Sequence, residues 1–456
     1  MQRQSGIHFY IEVQNFNAIV IEEERKTGGV THAMHALDTL FSSIERYGRA
    51  NCNDVVIEKI TGARLHLYVV GADVASAYNS VAQLSTYARQ IAHFICSEVW
   101  KYKSLSELEL RVGAAFGDFY DFEFVAGDGV SELTTIGYAA NFAAKLQGLT
   151  RTSHISISEN VFDALSTRQR HAFRCVESDE IQKYDQARYY TAWLREIKPA
   201  AEVTDAELSE VKDYINKVAL KDVNLSAVRK PLSFERLSRR EVKKLDGIPV
   251  YADVRGFTAQ FDADGTNLDE MASKTQSILE TLYKTTTESG GIHVQFQGDR
   301  ESALFHNVPS GGVDGALQQE HKCYKSAVIA AMRMVDRVRG LAVHVGVGQA
   351  FGTLYATKIG ARGERDNILL GVPVIEADAM EDKCAGEDQI AVTRDVYVGL
   401  AMEDETLAKM FKRVGESYIL TVGYEEYLMR VHDTEQRKNT ALRSYNGAYG
   451  MVGWGL

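Results

Sequence analysis

The chain carries the same pattern twice. Gly113-Ala-Ala-Phe116-Gly117-Asp-Phe-Tyr120 recurs as Gly348-Gln-Ala-Phe351-Gly352-Thr-Leu-Tyr355. Ile155-Ser-Ile-Ser-Glu-Asn-Val161-Phe-Asp-Ala-Leu165 recurs as Ile390-Ala-Val-Thr-Arg-Asp-Val396-Tyr-Val-Gly-Leu400. Both repeats lie 235 residues on. Ile136-Gly137 against Leu370-Gly371 gives 234, Gly62 against Gly298 gives 236 and Glu12 against Asp253 gives 241. An offset that drifts by a few residues in chain order is the mark of one duplicated domain with small loop changes. The period is far too long for a solenoid. At 456 residues the chain also exceeds what one hydrophobic core organises.

Each copy reads as strand, helix, strand–turn–strand, helix, strand. In the first copy the strands are Ile7–Val13, Val55–Ile60, Arg64–Val70, Leu108–Phe116 and Ser153–Ser158. The helices are Ala33–Arg46, with Met34, Leu37, Leu40, Phe41 and Ile44 on one face, and Val81–Ser97. Thr134–Leu146 reads as a loop running into a helix. The expected fold class is α/β (α+β), two ferredoxin-like domains packed as an intramolecular pseudo-dimer with two equivalent clefts. The domains are residues 1–197 and 247–431. A charged linker, 198–246, holds a helix over Asp205–Val218 and a solvated basic run over Lys230–Lys244. The tail is 432–456.

The net charge of −11 argues against a phosphate-neutralising nucleic-acid surface. No stretch approaches the ~20 apolar residues of a membrane span, and the N-terminus lacks a signal-peptide core. The five cysteines are scattered, with no CxxC pair, as in a reduced, cytoplasmic protein.

The chemistry concentrates in the second copy. Pro249–Val254 reads as a buried strand that delivers Asp253 and then breaks at Gly256. A carboxylate beside a turn with free N–H groups suits a cation next to a phosphate. Ile292–Gln297 and Glu301–His306 read as a hairpin with Asp299 at its tip, next to the end of the Asp253 strand. Two neighbouring carboxylates raise each other's pKa unless a cation relieves them, and oxygen-only ligation favours Mg²⁺ or Mn²⁺ over zinc.

Asp253-Val-Arg-Gly-Phe-Thr258, Gly298-Asp299 and, in the first copy, Ile136-Gly137-Tyr-Ala-Ala-Asn141-Phe-Ala-Ala-Lys145 resemble the class III nucleotidyl cyclases. The last stretch is similar to that family's Gly-x-x-x-Asn-x-x-x-Arg segment. The resemblance implies a catalytic site shared across a dimer interface. One partner supplies two metal-binding Asp residues. The other supplies base-reading groups and an Asn/Arg pair for the transition state. The first copy has Glu12 and Ala63 where the second has Asp253 and Asp299. The second copy has Ile375 and Ala379 where the first has Asn141 and Lys145. One composite cleft is therefore complete, and the other is stripped at both ends. Lys145 departs from the family's Arg and is a point charge without the bidentate fork.

The implied roles follow. Asp253, Asp299 and the Val254 carbonyl hold two divalent ions, Mn²⁺ or Mg²⁺. Turn N–H groups at Gly256, Phe257 and Thr258 cradle phosphates. Asn141 orients the ribose and Lys145 meets charge at the α-phosphate. Lys358, Arg362 and Arg365 are candidate cations for the leaving pyrophosphate. Base reading falls to Lys59, four residues before Ala63, and Thr134, seven before Asn141. A donor beside a possible acceptor suits adenine or cytosine and does not choose between them. The whole two-copy chain also resembles the bacterial Pycsar pyrimidine cyclases, in particular a cytidylate-making form. That resemblance implies CTP converted to cyclic CMP as an anti-phage signal to a separate effector protein. Adenylate cyclase, uridylate cyclase and a non-catalytic nucleotide sensor are the competing expectations.

Overall fold

A computed structural model describes residues 2–52, 54–71, 73–99, 105–199, 201–218, 223–228, 230–238, 241–257, 267–307, 323–360 and 365–432. The tail expected from residue 432 lies almost wholly outside them. Two sheets form the molecule. The first holds β1 (Gln2–Val13), β2 (Val55–Thr61), β3 (Arg64–Val70), β4 (Leu110–Val125), β5 (Ser131–Ile136), β6 (His154–Ile157), β7 (Arg174–Glu177) and β8 (Arg188–Trp193). Its order is β2–β3–β1–β4–β6–β8–β7, with β5 paired to β4. The second holds β9 (Asn224–Ala227), β10 (Glu241–Arg255), β11 (Ile292–Gln297), β12 (Arg300–His306), β13 (His344–Gln349), β14 (Gly352–Ile359), β15 (Asp366–Leu370), β16 (Ile390–Val392), β17 (Lys412–Val414) and β18 (Ser417–Leu420). Its main path, β11–β12–β10–β13–β16–β18–β17, repeats the first.

Alternation along the central strands explains the layering. In β1, Ile7, Phe9, Ile11 and Val13 are fully buried on one face, in the core that includes residues of the helices Thr31–Asn51 and Val74–Val99. His8, Tyr10 and Glu12 take the other face. In β10, Val250, Ala252 and Val254 join the second core, together with residues of the helices Leu268–Glu288 and Tyr324–Arg339. Tyr251 and Asp253 face away from it. Both copies even share a β-bulge, a register shift between Ile57 and Lys59 in one and between His293 and Gln295 in the other.

The halves clasp each other through arms. The strand expected over Leu108–Phe116 continues to Val125, and with β5 it carries Tyr120, Phe122, Phe124 and Ile136 into the second core. In return β14 and β15 carry Tyr355, Ile359, Ile368 and Leu370 into the first. Thr134, expected in a loop, thus sits on strand β5. The basic run is not merely solvated. Leu232, Phe234 and Leu237 pack with Leu245, Val294 and Leu304, and Lys243 and Lys244 belong to β10. The linker helix Asp205–Val218 has the expected bounds and buries Val211 and Ile215 on the first core.

Candidate active site

Asp253 lies opposite Arg300 on β12 and opposite Gly346 on β13. The hairpin between β11 and β12 turns at Gly298, whose φ of +68° favours glycine. That turn sets Asp299 at the end of the Asp253 strand. Asp299 is 5% exposed. Burial, then the charge of Asp253, pushes its carboxyl well above the usual range. After Arg255, Gly256 turns the chain in the left-handed region (φ +65°) with open space where a side chain would be. Phe257 anchors the turn in the core at 1% exposure. Thr258 lies outside the described residues.

The first half supplies the opposite wall. On β5, the Thr134 hydroxyl accepts the Gly298 N–H at 2.8 Å, and Glu132 accepts the Phe296 N–H at 2.8 Å. A Cβ on Gly298 would stand 3.4 Å from the Thr135 carbonyl oxygen and 4.0 Å from Asn141 Oδ1. Asn141, on the helix Tyr138–Leu149, therefore sits beside the carboxylate hairpin. Lys145, one helical turn on, pairs with Glu180 at 3.0 Å and lies 3.9 Å from Asp382 of the second half. The structure thus brings Asp253, Val254, Asp299, Gly256 and Phe257 together with Thr134, Asn141 and Lys145.

Lys59 is bound more tightly than the sequence indicated. Its ammonium pairs with Glu132 at 2.7 Å and donates to the Phe296 carbonyl at 2.6 Å. The second of these bonds ties the halves together, while Glu132 belongs to the same half as Lys59. The same cluster holds His293 between Glu132 and Glu301, at 3.1 Å from each. Burial opposes the charge on His293, but the two carboxylates override it and push its pKa up to about 10. Lys358 and Arg365 do not meet Asp253. They lie at the β14–β15 arm, where Asp366 accepts the Ile60 N–H at 2.6 Å, so they belong to the other cleft. Arg362 is outside the described residues.

Four site residues were not foreseen. Glu381, on the helix Val372–Lys383, pairs with Arg255 at 2.6 Å and with Arg300 at 3.2 Å. Burial, resisted by Arg300 and reinforced by Asp253, pushes its carboxyl up to about 7. Arg255 also reaches Asp253 at 3.2 Å. The fourth is Tyr184, whose hydroxyl donates to the Asn141 carbonyl at 3.3 Å and whose ring stacks on Phe142 at 4.8 Å. Burial raises its pKa, and the charges of Asp382, Asp253 and Asp299 add to the rise. Glu381 had one sequence signal: it stands 234 residues after Gln147, at the offset of the neighbouring motif.

The donor set fits divalent cations. Asp253 and Asp299 offer oxygen only, one of them buried and destabilised by the other's charge. A second cluster, His8, Glu58 and His66, places three ligand-type atoms within 4.8 Å of one another. There, however, His8 Nδ1 meets His66 Nε2 at 2.9 Å and His66 Nδ1 meets Glu58 at 2.8 Å. His8 Nδ1 and both His66 nitrogens are engaged with each other and with the acid, whereas the buried His8 Nε2 has no hydrogen-bond partner among the described residues. Burial raises the Glu58 carboxyl, but His66, Lys59 and His8 override it and hold it near 2.

A solved structure titled a class III adenylyl cyclase-like ATP-binding protein, from Pseudomonas aeruginosa, superposes with a TM-score of 0.70. It covers 94% of this chain and 90% of its own, at 18% identity. The fold is class III cyclase-like. A uridylate cyclase, also from Pseudomonas aeruginosa, is 24% identical over 276 residues, 57% of this chain and 51% of that protein. The chain thus matches about half of that relative's length. No family model matches. Within the cyclase-like fold, the arms and the shared bulge mark the two halves as counterparts. The cleft between β10–β12 and the helix Tyr138–Leu149 is the one with acids on one side and Asn141 on the other.

Proposed function

We propose that this chain is a nucleotidyl cyclase that closes a pyrimidine nucleoside triphosphate into its 3′,5′-cyclic monophosphate. What supports the reading is the Gly298–Asp299 turn beside Asn141 across the interface, where a Cβ on Gly298 would stand 4.0 Å from Asn141 Oδ1, with Asp253 on the strand paired to that hairpin. The 3′-oxygen forms a bond to the α-phosphorus, the bond from that phosphorus to the bridging oxygen breaks, and pyrophosphate leaves. Asp253, Asp299 and the Val254 carbonyl would hold two divalent ions, Mn²⁺ or Mg²⁺, which when bound supply Lewis-acid activation of the hydroxyl and neutralise the triphosphate. Amides at Gly256 and Phe257 face phosphate oxygens. Asn141 orients the ribose. Lys145 exchanges Glu180 for the charge developing at the α-phosphate.

For the base, CTP is the first candidate, from the Lys59 and Thr134 pair. One observation favours UTP beside it: Thr134 accepts the Gly298 N–H at 2.8 Å, and its O–H reaches the Gly298 carbonyl only at 3.5 Å, a long bond that a substrate carbonyl can replace. With the remaining N–H of Lys59, two donors suit the carbonyl edge of uracil, in line with the activity named for the uridylate cyclase relative. In this proposal the product signals to a separate effector in anti-phage defence.

The test is incubation of the full chain with each triphosphate and Mn²⁺, followed by mass analysis of products. Cyclic CMP or cyclic UMP with pyrophosphate is expected. Cyclic AMP alone would sink the pyrimidine assignment, and no product from any triphosphate would leave a nucleotide sensor.

A further inference from the structure

One cavity contains none of the candidate site residues. It has a volume of about 280 Å³ and lies at the edge of the first core, between the helix Val74–Val99 and the ends of β4, β6 and β8. Leu108, Leu110 and Leu194 are buried and give it an apolar floor. Arg89, Arg195 and Glu107 also line it. Ser153 fixes the wall between the strand ends. Its N–H donates to the Leu110 carbonyl at 2.7 Å, and its carbonyl accepts the Leu194 N–H at 2.9 Å.

The two arginines of this cavity have no acid. Arg89 is half-buried, and its Nε is fully buried without a hydrogen-bond partner among the described residues. The Arg195 guanidinium rests 4.8 Å from the centre of the Trp193 ring, a contact that orients it without supplying an anion. A guanidinium keeps its charge in a folded protein. Glu107 is exposed, and its carboxylate pairs with neither arginine among the described residues. Two guanidiniums against one carboxylate leave the cavity cationic.

The second half closes the same place with its own carboxylates. Ser153 and Asp388 are counterparts, 235 residues apart, and both take the left-handed backbone, at φ +63° and +55°. Asp388 pairs with Arg339 Nε at 3.1 Å and meets His344 Nδ1 at 2.7 Å. Ala192 stands in register with Ile155, and Leu420 with Ile390, so Arg195, three residues on, corresponds to Gly423. A Cβ on Gly423 would lie 2.1 Å from Asp336 Oδ1, and Asp336 accepts the Tyr424 N–H at 2.7 Å. In the second half, then, acids of the chain fill this place and an arginine has its carboxylate. In the first half the acid is replaced by Ser153, and the space stands open.

We propose that this cavity binds a small organic acid, its carboxylate held by Arg89 and Arg195 and its apolar body on Leu108, Leu110 and Leu194. The ligand's carboxylate takes the part that Asp388 plays for Arg339. The planar fork of a guanidinium matches a carboxylate in shape and charge. An apolar wall with a few convergent charged groups is the ordinary make-up of a small-molecule site, and ~300–1,000 Å³ is the ordinary size. This cavity stands at the lower end of that range, which selects a compact acid, aliphatic or aromatic. The site does not depend on the cyclase reading of the cleft.

The experiment is calorimetric titration of the full chain with sodium hexanoate and with sodium benzoate. Hexanol and benzyl alcohol serve as uncharged controls of the same shape. One saturable site for an acid is expected, and which of the two acids binds more tightly tells an aliphatic ligand from an aromatic one. The matching alcohol should bind at least about tenfold more weakly. Arg89→Met and Arg195→Met should each weaken the acid by about tenfold or more. Ser153→Asp writes the second half's carboxylate into the first half and should abolish binding. Circular dichroism reports folding, and if an arginine variant fails to fold, Ser153→Asp decides. Absence of saturable binding for both acids overturns the proposal. So does an alcohol that binds as tightly as its acid, or unchanged affinity in any folded variant of the three.

Discussion

At Asp299, burial and a like-charged neighbour act in the same direction, and at Glu381 they do so against two arginines. Both carboxyls are raised, so the folded chain binds protons more readily than the unfolded one. Their contribution to stability is complete below the ordinary carboxylate pKa near 4.3 and is lost as pH rises through about 7 for Glu381. The melting temperature of the metal-free chain should therefore fall between pH 6 and pH 8, and saturating Mn²⁺ should remove most of that fall. A melting temperature that rises over this range, or is indifferent to Mn²⁺, would contradict the carboxylate pair as described. In turnover assays Asp253→Ala and Asp299→Ala should leave no product above background, whereas Glu12→Ala should retain most activity because Arg111 already neutralises that acid. Asn141→Ala should lower kcat by about 10²-fold, the usual cost of losing one preorganised donor.

At the scale of elements, the structure buries β5 and the outer half of β4 in the partner half's core. Phe124 is fully buried there and meets Phe296 edge-on at 4.7 Å. Phe124→Ala should cost about 3–5 kcal/mol, read as a shift of the urea midpoint. A shift below about 1 kcal/mol would mean the arm is not part of the core. The strands flanking Gly62 and Gly298 were legible because short apolar runs end in turn residues, and the Asp253–Asp299 pairing followed from strand adjacency. Thr134 was not legible as a strand residue. Its pairing depends on β4 running past Gly117 to Val125, and that run is stabilised by the second half's core, which no local periodicity reveals. Glu381 was hidden for a related reason. An acid on a polar helix looks solvated until Gly348 lets the helix settle onto the strand below.

For the molecule as a whole, the complementary loss was the most readable feature. Glu12, Ala63, Ile375 and Ala379 mark one cleft as stripped before any fold is known, and the interface bonds confirm the pairing of halves. Phe296 N–H to Glu132 is repeated as Ile60 N–H to Asp366, at 2.8 and 2.6 Å. What the residues alone did not convey is how Lys59 is spent, since its partners Glu132 and the Phe296 carbonyl lie 73 and 237 positions away. On the proposed one-site reading, one chain provides both sides of the cleft, so specific activity should stay constant as the protein is diluted from micromolar to nanomolar. A steep loss on dilution would show that the competent cleft forms between chains.

The exchanged arms also decide what a break in the backbone can do. A protease cutting anywhere in the connection between the sheets would sever a covalent link but leave each fragment with a strand lodged inside the other. Such a nicked protein should travel as one particle on a sizing column and come apart only in denaturant. Neither fragment has a finished interior to retreat into, so the two sheets are inseparable parts of one body.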